Sequence, residues 1–450
     1  MFAKMARTGR TAAVITLTTA TAIAVLAAPA AQAKPERVPV WPSLTGALPA
    51  ALLRPATTTT DAYKAKMSGR INERVRAAAL GSSVSVRVED LATGQVDYGY
   101  RGAVGRSPAS TMKTATALAV LSAQGAKHRM PTTVVRGTES DAIVLVGGGD
   151  PLLSSTNLDQ LAKDTVAELE AAESTGDDSP NEKMRLLVDD NLFADASQPI
   201  GWYSNYFTYY AARPSGLSRD LRKLWDSGTD AGKYFRSRLK FHGLPMVKGV
   251  SKTNAANGAV EVADYQGHTI SEALWPMLQY SDNSIAENMI RHVALARGAA
   301  TTTAGSAAAV AAELTKLGVA MGRSRILDGS GLSAQNRLSP KSLVGIVRAS
   351  MDPERPDLSA AYRNASVPTA GASGTLSSRY KSGGTRCAAR RVMAKTGTLS
   401  DVVALSGVAS SNDGRPRAFA IVVNNKPYNY SSDSTRYAVD RIVAAITGCG

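Results

Sequence analysis

Histidine and cysteine are scarce in this chain, with four of the first and two of the second in 450 residues. That scarcity excludes the Cys/His clusters of structural zinc sites and the multi-bridge frameworks of small secreted scaffolds. No His-Glu-x-x-His segment occurs, so the chain is expected to need no metal and no cofactor. A Gly-x-Ser-x-Gly elbow is also missing, and His128, His242, His268 and His292 do not cluster along the sequence. Both facts count against a Ser-His-Asp hydrolase. Beyond the first thirty-odd residues no apolar run approaches the ~20 needed to span a bilayer. No internal period of 20–50 residues is evident, which removes repeat architectures. The chain is 44% hydrophobic and 20% charged, unlike a disordered sequence, and its length allows about two or three domains.

The N-terminus has the pattern of a processing segment. Lys4, Arg7 and Arg10 precede an uncharged stretch, Thr11 to Ala28, and Ala31-Gln32-Ala33 offers a small-residue cleavage site. Residues 1–33 therefore read as a signal peptide and the protein as exported to the cell envelope or beyond it, an uncleaved anchor being the alternative. The formal net charge is +15, which becomes about +12 without the three basic residues of that segment. Such a balance attracts anions. For an exported chain the expected partners are anionic wall polymers or a membrane surface, not nucleic acid, though the charge also serves solubility. Export places Cys387 and Cys449 in an oxidising compartment, where an even pair suggests a disulfide.

Periodicity gives an α+β order. Residues 34–60 form an irregular leader. A helical pattern runs from Ala62 to Leu80, then Val84, Val86 and Val88 alternate, and Val96, Tyr98 and Tyr100 alternate again across a turn, as in a hairpin. A helix follows Pro108 and runs to about Ala123. Further expectations are a strand at Ile143–Val146, a helix over 156–172, a strand at Leu186–Val188 and a helix near 230–241. The chain is mostly helical from 260 to Met351. Two strands (Val402–Ala409 and Ala418–Val423) and a helix (Thr435–Ile446) close the fold.

Three short motifs occur in order: Ser110-Thr111-Met112-Lys113, Ser281-Asp282-Asn283 and Lys395-Thr396-Gly397-Thr398. Each is weak alone, and S-x-x-K recurs at Ser237/Lys240 and Ser378/Lys381. The ordered trio is specific for the active-site-serine acyl transferases that carry S-x-x-K, S-D-N and K-T-G. Positions three apart share a helix face, so Lys113 can reach the Ser110 hydroxyl. Lysine serves as its base only with a lowered pKa, through burial or a second cation, for which Lys395 is the candidate. Ser281 can relay a proton between Lys113 and the leaving amine. Asp282 or Ser281 can equally be a helix N-cap. Asn283 can bridge the serine's neighbourhood and a substrate amide. Thr396 and Thr398 offer hydroxyls, and Lys395 a cation, to a terminal carboxylate. Gly397 removes a side chain where a substrate backbone would approach. The N–H groups of Ser110 and Thr398 are the expected oxyanion donors.

With these motifs, and with Gly148-Gly149-Asp150-Pro151, Val188-Asp189-Asp190, Asp328-Gly329-Ser330-Gly331-Leu332-Ser333 and the stretch from Ala370 to Leu376, the sequence resembles the class C low-molecular-weight penicillin-binding proteins from about Val84 to Asn424. The resemblance implies a penicilloyl-serine transferase fold, a five-stranded antiparallel sheet flanked by helices, with additional domains between the first two motifs. Ser110 and Ser281 are 171 positions apart. The expected division is 34–140 and 261–450 for the transferase-like domain and 141–260 for the insert. The implied activity is D-alanyl-D-alanine carboxypeptidase or endopeptidase action on peptidoglycan stem peptides, with acylation of Ser110 by β-lactam antibiotics. Arg337 is a candidate contact for the stem, and the aromatic run around Trp202, Tyr203, Tyr206 and Tyr209 a candidate cleft wall. A class A β-lactamase is the nearest rival, but its E-x-x-L-N segment is absent. A wall-binding protein with a relict site is the non-enzymatic alternative.

Overall fold

The computed structural model describes residues 61–174, 183–194, 197–364 and 366–449. The signal peptide expected at 1–33 and the leader at 34–60 lie outside them. Among the described residues no helix is long and apolar enough to cross a membrane.

Helix α1 (Asp61–Arg74) buries Met67 and Ile71. It stops short of the expected Leu80. A 3-10 turn, Ala78–Leu80, and Gly81 at φ 63° redirect the chain into the first strand. Strands β1 (Val84–Asp90) and β2 (Val96–Tyr100) form the expected hairpin. Helix α2 (Met112–Gln124) is buried on every side from Met112 to Leu121. Its small Ala and Thr residues let other helices approach from all directions.

The next segment builds a separate sheet from β3 (Thr132–Arg136), β4 (Ala142–Gly147), β5 (Arg185–Asp189), β6 (Ser251–Lys252) and β7 (Glu261–Tyr265), in the order β6-β5-β4-β3-β7. Pairs β3–β4 and β3–β7 are antiparallel, and β4–β5 and β5–β6 parallel. Helices α3 (Ser155–Ser174) and α4 (Ser227–Phe241) pack against it through Leu158, Leu161, Phe235 and Leu239. Strands β3 and β7 extend this sheet past both ends of the expected 141–260 segment. They were not foreseen because each is short and carries polar or charged residues at its ends.

Helices α5 (Ile270–Gln279), α6 (Asn283–Ala296), α7 (Thr303–Lys316) and α8 (Pro340–Ala349) come next. Three strands follow, not two: β8 (Val392–Thr398), β9 (Val403–Ser410) and β10 (Pro416–Val423), and then helix α9 (Ser432–Ile446). They join the hairpin in an all-antiparallel sheet of order β2-β1-β10-β9-β8. The expected five-stranded antiparallel sheet flanked by helices is therefore found. Lys395-Thr396-Gly397-Thr398 lies at the end of edge strand β8, just ahead of β9.

Both faces of this sheet are covered. Along β10, Ala418, Ala420 and Val422 join a core with α2, α5, α6, α7 and α8. The alternate residues Phe419, Ile421 and Val423 join a second core with α1 and α9. Side chains two apart share a strand face, so one strand serves two hydrophobic layers. Cys387 and Cys449 are joined in a disulfide with Cα atoms 6.1 Å apart. It links the segment before β8 to the residues after α9. Replacing both cysteines with serine is expected to lower stability by about 2–4 kcal/mol, measured by denaturant unfolding.

Candidate active site

The Ser110 hydroxyl is set by a tight turn. Pro108 O accepts from the Thr111 N–H (3.2 Å) and from its hydroxyl (2.7 Å), closing a 3-10 turn ahead of α2. Within that turn Ala109 holds φ 45°, a left-handed conformation unfavourable for a residue with a Cβ. The turn is wedged from two sides. A Cβ on Gly331 would lie 1.9 Å from Ala109 O, and one on Gly397 would lie 2.7 Å from Pro108 O. Only glycine fits at either place. Gly397 was expected to make room for substrate; here it lets β8 close against the Ser110 turn.

Lys113 stands one turn along α2 and is completely buried. Its Nζ has three partners: Ser110 Oγ at 3.2 Å, Asn283 Oδ1 at 2.7 Å and Ser330 O at 2.7 Å. Burial lowers its pKa to about 8, against the opposing charges of Asp282, Asp328 and Glu287. An ammonium has three donors, whereas a neutral amine has two and a lone pair. The Ser330 carbonyl and the Asn283 amide oxygen can only accept. The lone pair of a neutral Lys113 therefore faces Ser110 Oγ, the one partner with a proton to give.

The second motif sits at a helix start. Asp282 caps α6 by accepting from the Ile285 N–H at 2.9 Å, and Asn283 is the first residue of that helix. Ser281 precedes it at φ 63°. Its hydroxyl accepts from Lys395 Nζ at 2.9 Å, so its ammonium partner is Lys395, not Lys113. Asn283 Nδ2 donates to Tyr210 O (3.1 Å), and the Ala212 N–H donates to Ser284 Oγ (2.8 Å). The end of the aromatic run thus positions this motif through its backbone. Trp202 is buried, whereas Tyr203 and Tyr209 are exposed.

On β8, Lys395 also donates to Thr396 O at 2.9 Å. Its pKa is pushed well down, first by burial and then by the charge on Lys113. Of the two expected causes, burial or a second cation, burial is the one that lowers Lys113, and the repulsion between the two lysines falls on Lys395. Thr396 Oγ1 donates to Thr375 Oγ1 (2.8 Å), and Arg436 Nη2 to Thr398 Oγ1 (3.3 Å). These hydroxyls, with Ser110, Ser281 and Arg436, line one cleft of about 640 Å³. The Arg337 guanidinium bonds Ala334 O and Asn336 O and does not line that cleft.

Two buried carboxyls hold the layer behind Lys113. Glu287 Oε1 accepts from the N–H groups of Gly329 and Ser330, which aims Ser330 O at the lysine. Burial and the neighbouring Asp328 raise the Glu287 pKa to about 7. Asp328 accepts from Trp202 Nε1 (2.7 Å), Gly331 N (2.8 Å), Ser333 N (2.6 Å) and Asn336 Nδ2 (2.7 Å). Sequence reasoning missed Glu287 and Arg436 altogether. Glu287 had a signal, since it lies four residues after Asn283 on the same helix face. Arg436 had none, because its helix is remote in sequence from every motif.

A serine at a helix start, a buried lysine bonded to it, and a second serine–lysine pair on a sheet edge define an active-site-serine acyl transferase of the penicilloyl-serine class. The comparisons agree. Residues 67–221 and 218–446 match the profile of the D-Ala-D-Ala carboxypeptidase 3 (S13) family. Carboxypeptidase DacB of Mycolicibacterium smegmatis is 27% identical over 440 residues, 94% of this chain and 91% of that protein. The D-alanyl-D-alanine carboxypeptidase of Actinomadura sp. strain R39 is 28% identical, over 84% of this chain and 85% of that one. In three dimensions the fold matches penicillin-binding protein 4 of Haemophilus influenzae with a TM-score of 0.70 at 21% identity, covering 84% of this chain and 98% of that one. The chain belongs to the D-Ala-D-Ala carboxypeptidase 3 (S13) family, and is a serine-type hydrolase of the low-molecular-weight penicillin-binding kind.

Asp328→Ala leaves four donors without their acceptor. It is expected to cost at least about 3 kcal/mol in an unfolding titration.

Proposed function

We propose that Ser110 is the nucleophile of a D,D-peptidase whose substrate is the D-Ala-D-Ala end, or the D-Ala crosslink, of a peptidoglycan stem peptide. The observation that carries the reading is the Lys113 contact set, which leaves Ser110 Oγ as the only proton donor to a neutral amine.

The steps follow from positions. Ser110 Oγ attacks the carbonyl carbon of the penultimate D-alanine as its proton passes to Lys113 Nζ. The N–H groups of Ser110 and Thr398 receive the developing oxyanion, and Thr396 and Thr398 hold the terminal carboxylate. Asn283 contacts the acyl side. When the C–N bond breaks, the leaving amine takes a proton from the Ser281 hydroxyl, and Lys395 Nζ replaces that proton through their hydrogen bond. Water then attacks the ester, its proton passing by way of Ser281 back to Lys395, while Lys113 returns its proton to Ser110. A β-lactam follows the same first step, and its penicilloyl ester hydrolyses slowly. Penicillin-binding protein 4 of Haemophilus influenzae has been solved in complex with a β-lactam, and that structure has a TM-score of 0.66 to this chain.

Residues 1–33 serve export, on this reading, and the mature protein works in the cell envelope. The second sheet and its helices act as an insert in the transferase-like domain. The positive net charge would hold the protein near anionic wall polymers or a membrane surface.

Three results test the catalytic assignment. Purified wall peptides incubated with the protein should lose one alanine, and crosslinked dimers should yield monomers, by mass spectrometry; Ser110→Ala should abolish both. Lys113→Arg, which cannot be deprotonated, should slow penicillin acylation by at least about 100-fold. The acylation rate of the native protein should rise with pH through about 8, where Lys113 loses its proton. A rate that is flat from about pH 6 to about pH 9 would exclude Lys113 as the base.

A further inference from the structure

A second polar hollow, of about 250 Å³, opens where β5 and β6 end against the start of α4. Four charged side chains line it: Asp190 after β5, Lys252 at the end of β6, Asp226 ahead of α4, and Arg213. Lys252 Nζ bridges the two carboxylates, 2.8 Å from each. Asp190 also accepts from Ser215 Oγ at 3.2 Å. Helix α4 is pressed onto Asp190, since a Cβ on Gly228 would lie 2.1 Å from its Oδ2. None of these groups takes part in the steps at Ser110.

Two side chains mark the hollow as a place for a ligand. Ser227 lines it and is 2% exposed, yet its Oγ has no hydrogen-bond partner among the described residues. A buried hydroxyl left unpaired is costly, so a partner from outside the chain is called for. Trp225 is the opposite case, a large aromatic ring 57% exposed. The Arg213 guanidinium lies over it, 5.0 Å from the ring centroid, and Phe207 packs at a near right angle with centroids 5.9 Å apart. The indole is therefore held in place although it faces solvent.

The charges of the lining cancel, two carboxylates against two cations. An anion would meet Asp190 and Asp226, and a cation Arg213 and Lys252, so the lining suits a neutral molecule rich in both donors and acceptors. Planar carboxylates and a guanidinium can pair with neighbouring hydroxyls, and Ser227 can donate as well as accept. An indole covers an apolar C–H face. Together these are the groups that recognise a pyranose sugar, and the space holds one ring. The hollow is also tied to the active site. Asn283 Nδ2 donates to Tyr210 O, Ser284 Oγ accepts from the Ala212 N–H, and Arg213 follows at once. Tyr210 to Arg213 covers at most about 11 Å of chain. An extended four-residue acyl stem, running from the carbonyl beside Asn283, covers about 14 Å. The hollow is within reach of the sugar that carries such a stem.

We propose that this hollow binds one N-acetylhexosamine unit of the peptidoglycan glycan strand, the ring lying on Trp225 and its hydroxyls bonded to Ser227, Asp190 and Arg213. This rests on the D,D-peptidase reading and goes beyond it: the second sheet holds the glycan end of a substrate whose stem is cut at Ser110. The binding is non-covalent and makes no demand on the chemistry of the cleft.

The test titrates the native protein, Trp225→Ala and Ser227→Ala with chitotetraose, a peptide-free oligomer of N-acetylglucosamine, and separately with inorganic phosphate, by calorimetry. Chitotetraose is expected to bind the native protein saturably, about ten-fold more weakly to Trp225→Ala and about five-fold more weakly to Ser227→Ala. In parallel, kcat/KM for D-alanine release should fall by similar factors on a stem still attached to its disaccharide and stay unchanged on the free pentapeptide. No chitotetraose binding, binding that neither variant weakens, or equal falls on both substrates would overturn the proposal. So would phosphate binding that Ser227→Ala removes, which would make the hollow an anion site. Failure of the parent reading looks different: the native protein would neither release D-alanine nor form a penicilloyl adduct, while chitotetraose binding is read independently. Adduct formation by each variant shows that it has folded.

Discussion

The structure depends on keeping one amine in a dry place. Lys113 is completely enclosed, and burial of a cation is costly unless polar partners replace water. Here the replacements are few and specific: a hydroxyl, an amide oxygen and a carbonyl. Burial alone would drive the amine towards permanent neutrality. The charges of Asp282, Asp328 and Glu287 pull in the other direction, and the balance brings the group near neutral pH. A base that exchanges protons during turnover needs that intermediate position.

Around this amine the fold arranges three remote segments, each by a different local device. The start of α2 is bent by Ala109 in a left-handed conformation, wedged between Gly331 and β8. The start of α6 is capped by Asp282 and preceded by Ser281, also left-handed. Two strained non-glycine residues beside the reacting groups are consistent with backbone held in place by its surroundings. Edge strand β8 completes the set, and its position follows from β9 and β10, which are buried along their whole length. Asp328 and Glu287 then fasten the loop that supplies Ser330 O. Beyond β8 the Arg379–Asp440 ion pair joins one wall of the cleft to α9, and the Cys387–Cys449 disulfide links the segments that follow them.

Much of this was legible in the sequence, for physical reasons that differ by element. The three motifs announce themselves because each needs particular residue types at fixed helix or strand spacing. The alternation at Val84, Val86 and Val88 exposed the first hairpin. Strand β8 was missed as a strand because its run, Val392 to Thr398, mixes core residues with the polar groups of the site. Strands β3 and β7 are short, and the pairing that defines them joins residues more than a hundred positions apart. Helix α1 looked longer than it is, since apolar spacing continued through Val75 and Leu80 while the backbone had already turned. The partner of Ser281 was read as Lys113, because motif spacing does not show which lysine the fold brings to that hydroxyl; the folded chain pairs it with Lys395. Arg436 carries no sequence signal, and Glu287 only its helical spacing from Asn283; packing places both.

The serine–lysine core is marked by ordered motifs, whereas the cleft beyond Thr398 is lined by a loop and a terminal helix whose residues no motif specifies. The central claim concerns the charge on one nitrogen, and it is open to direct observation. With lysine labelled by carbon-13 at the ε position, and the Lys113 signal assigned by its loss in Lys113→Arg, an NMR titration of the native protein reads that nitrogen's protonation. The account predicts a Lys113 transition near pH 8. A Lys113 signal that shifts only near the ordinary lysine value of about 10.4 would contradict it.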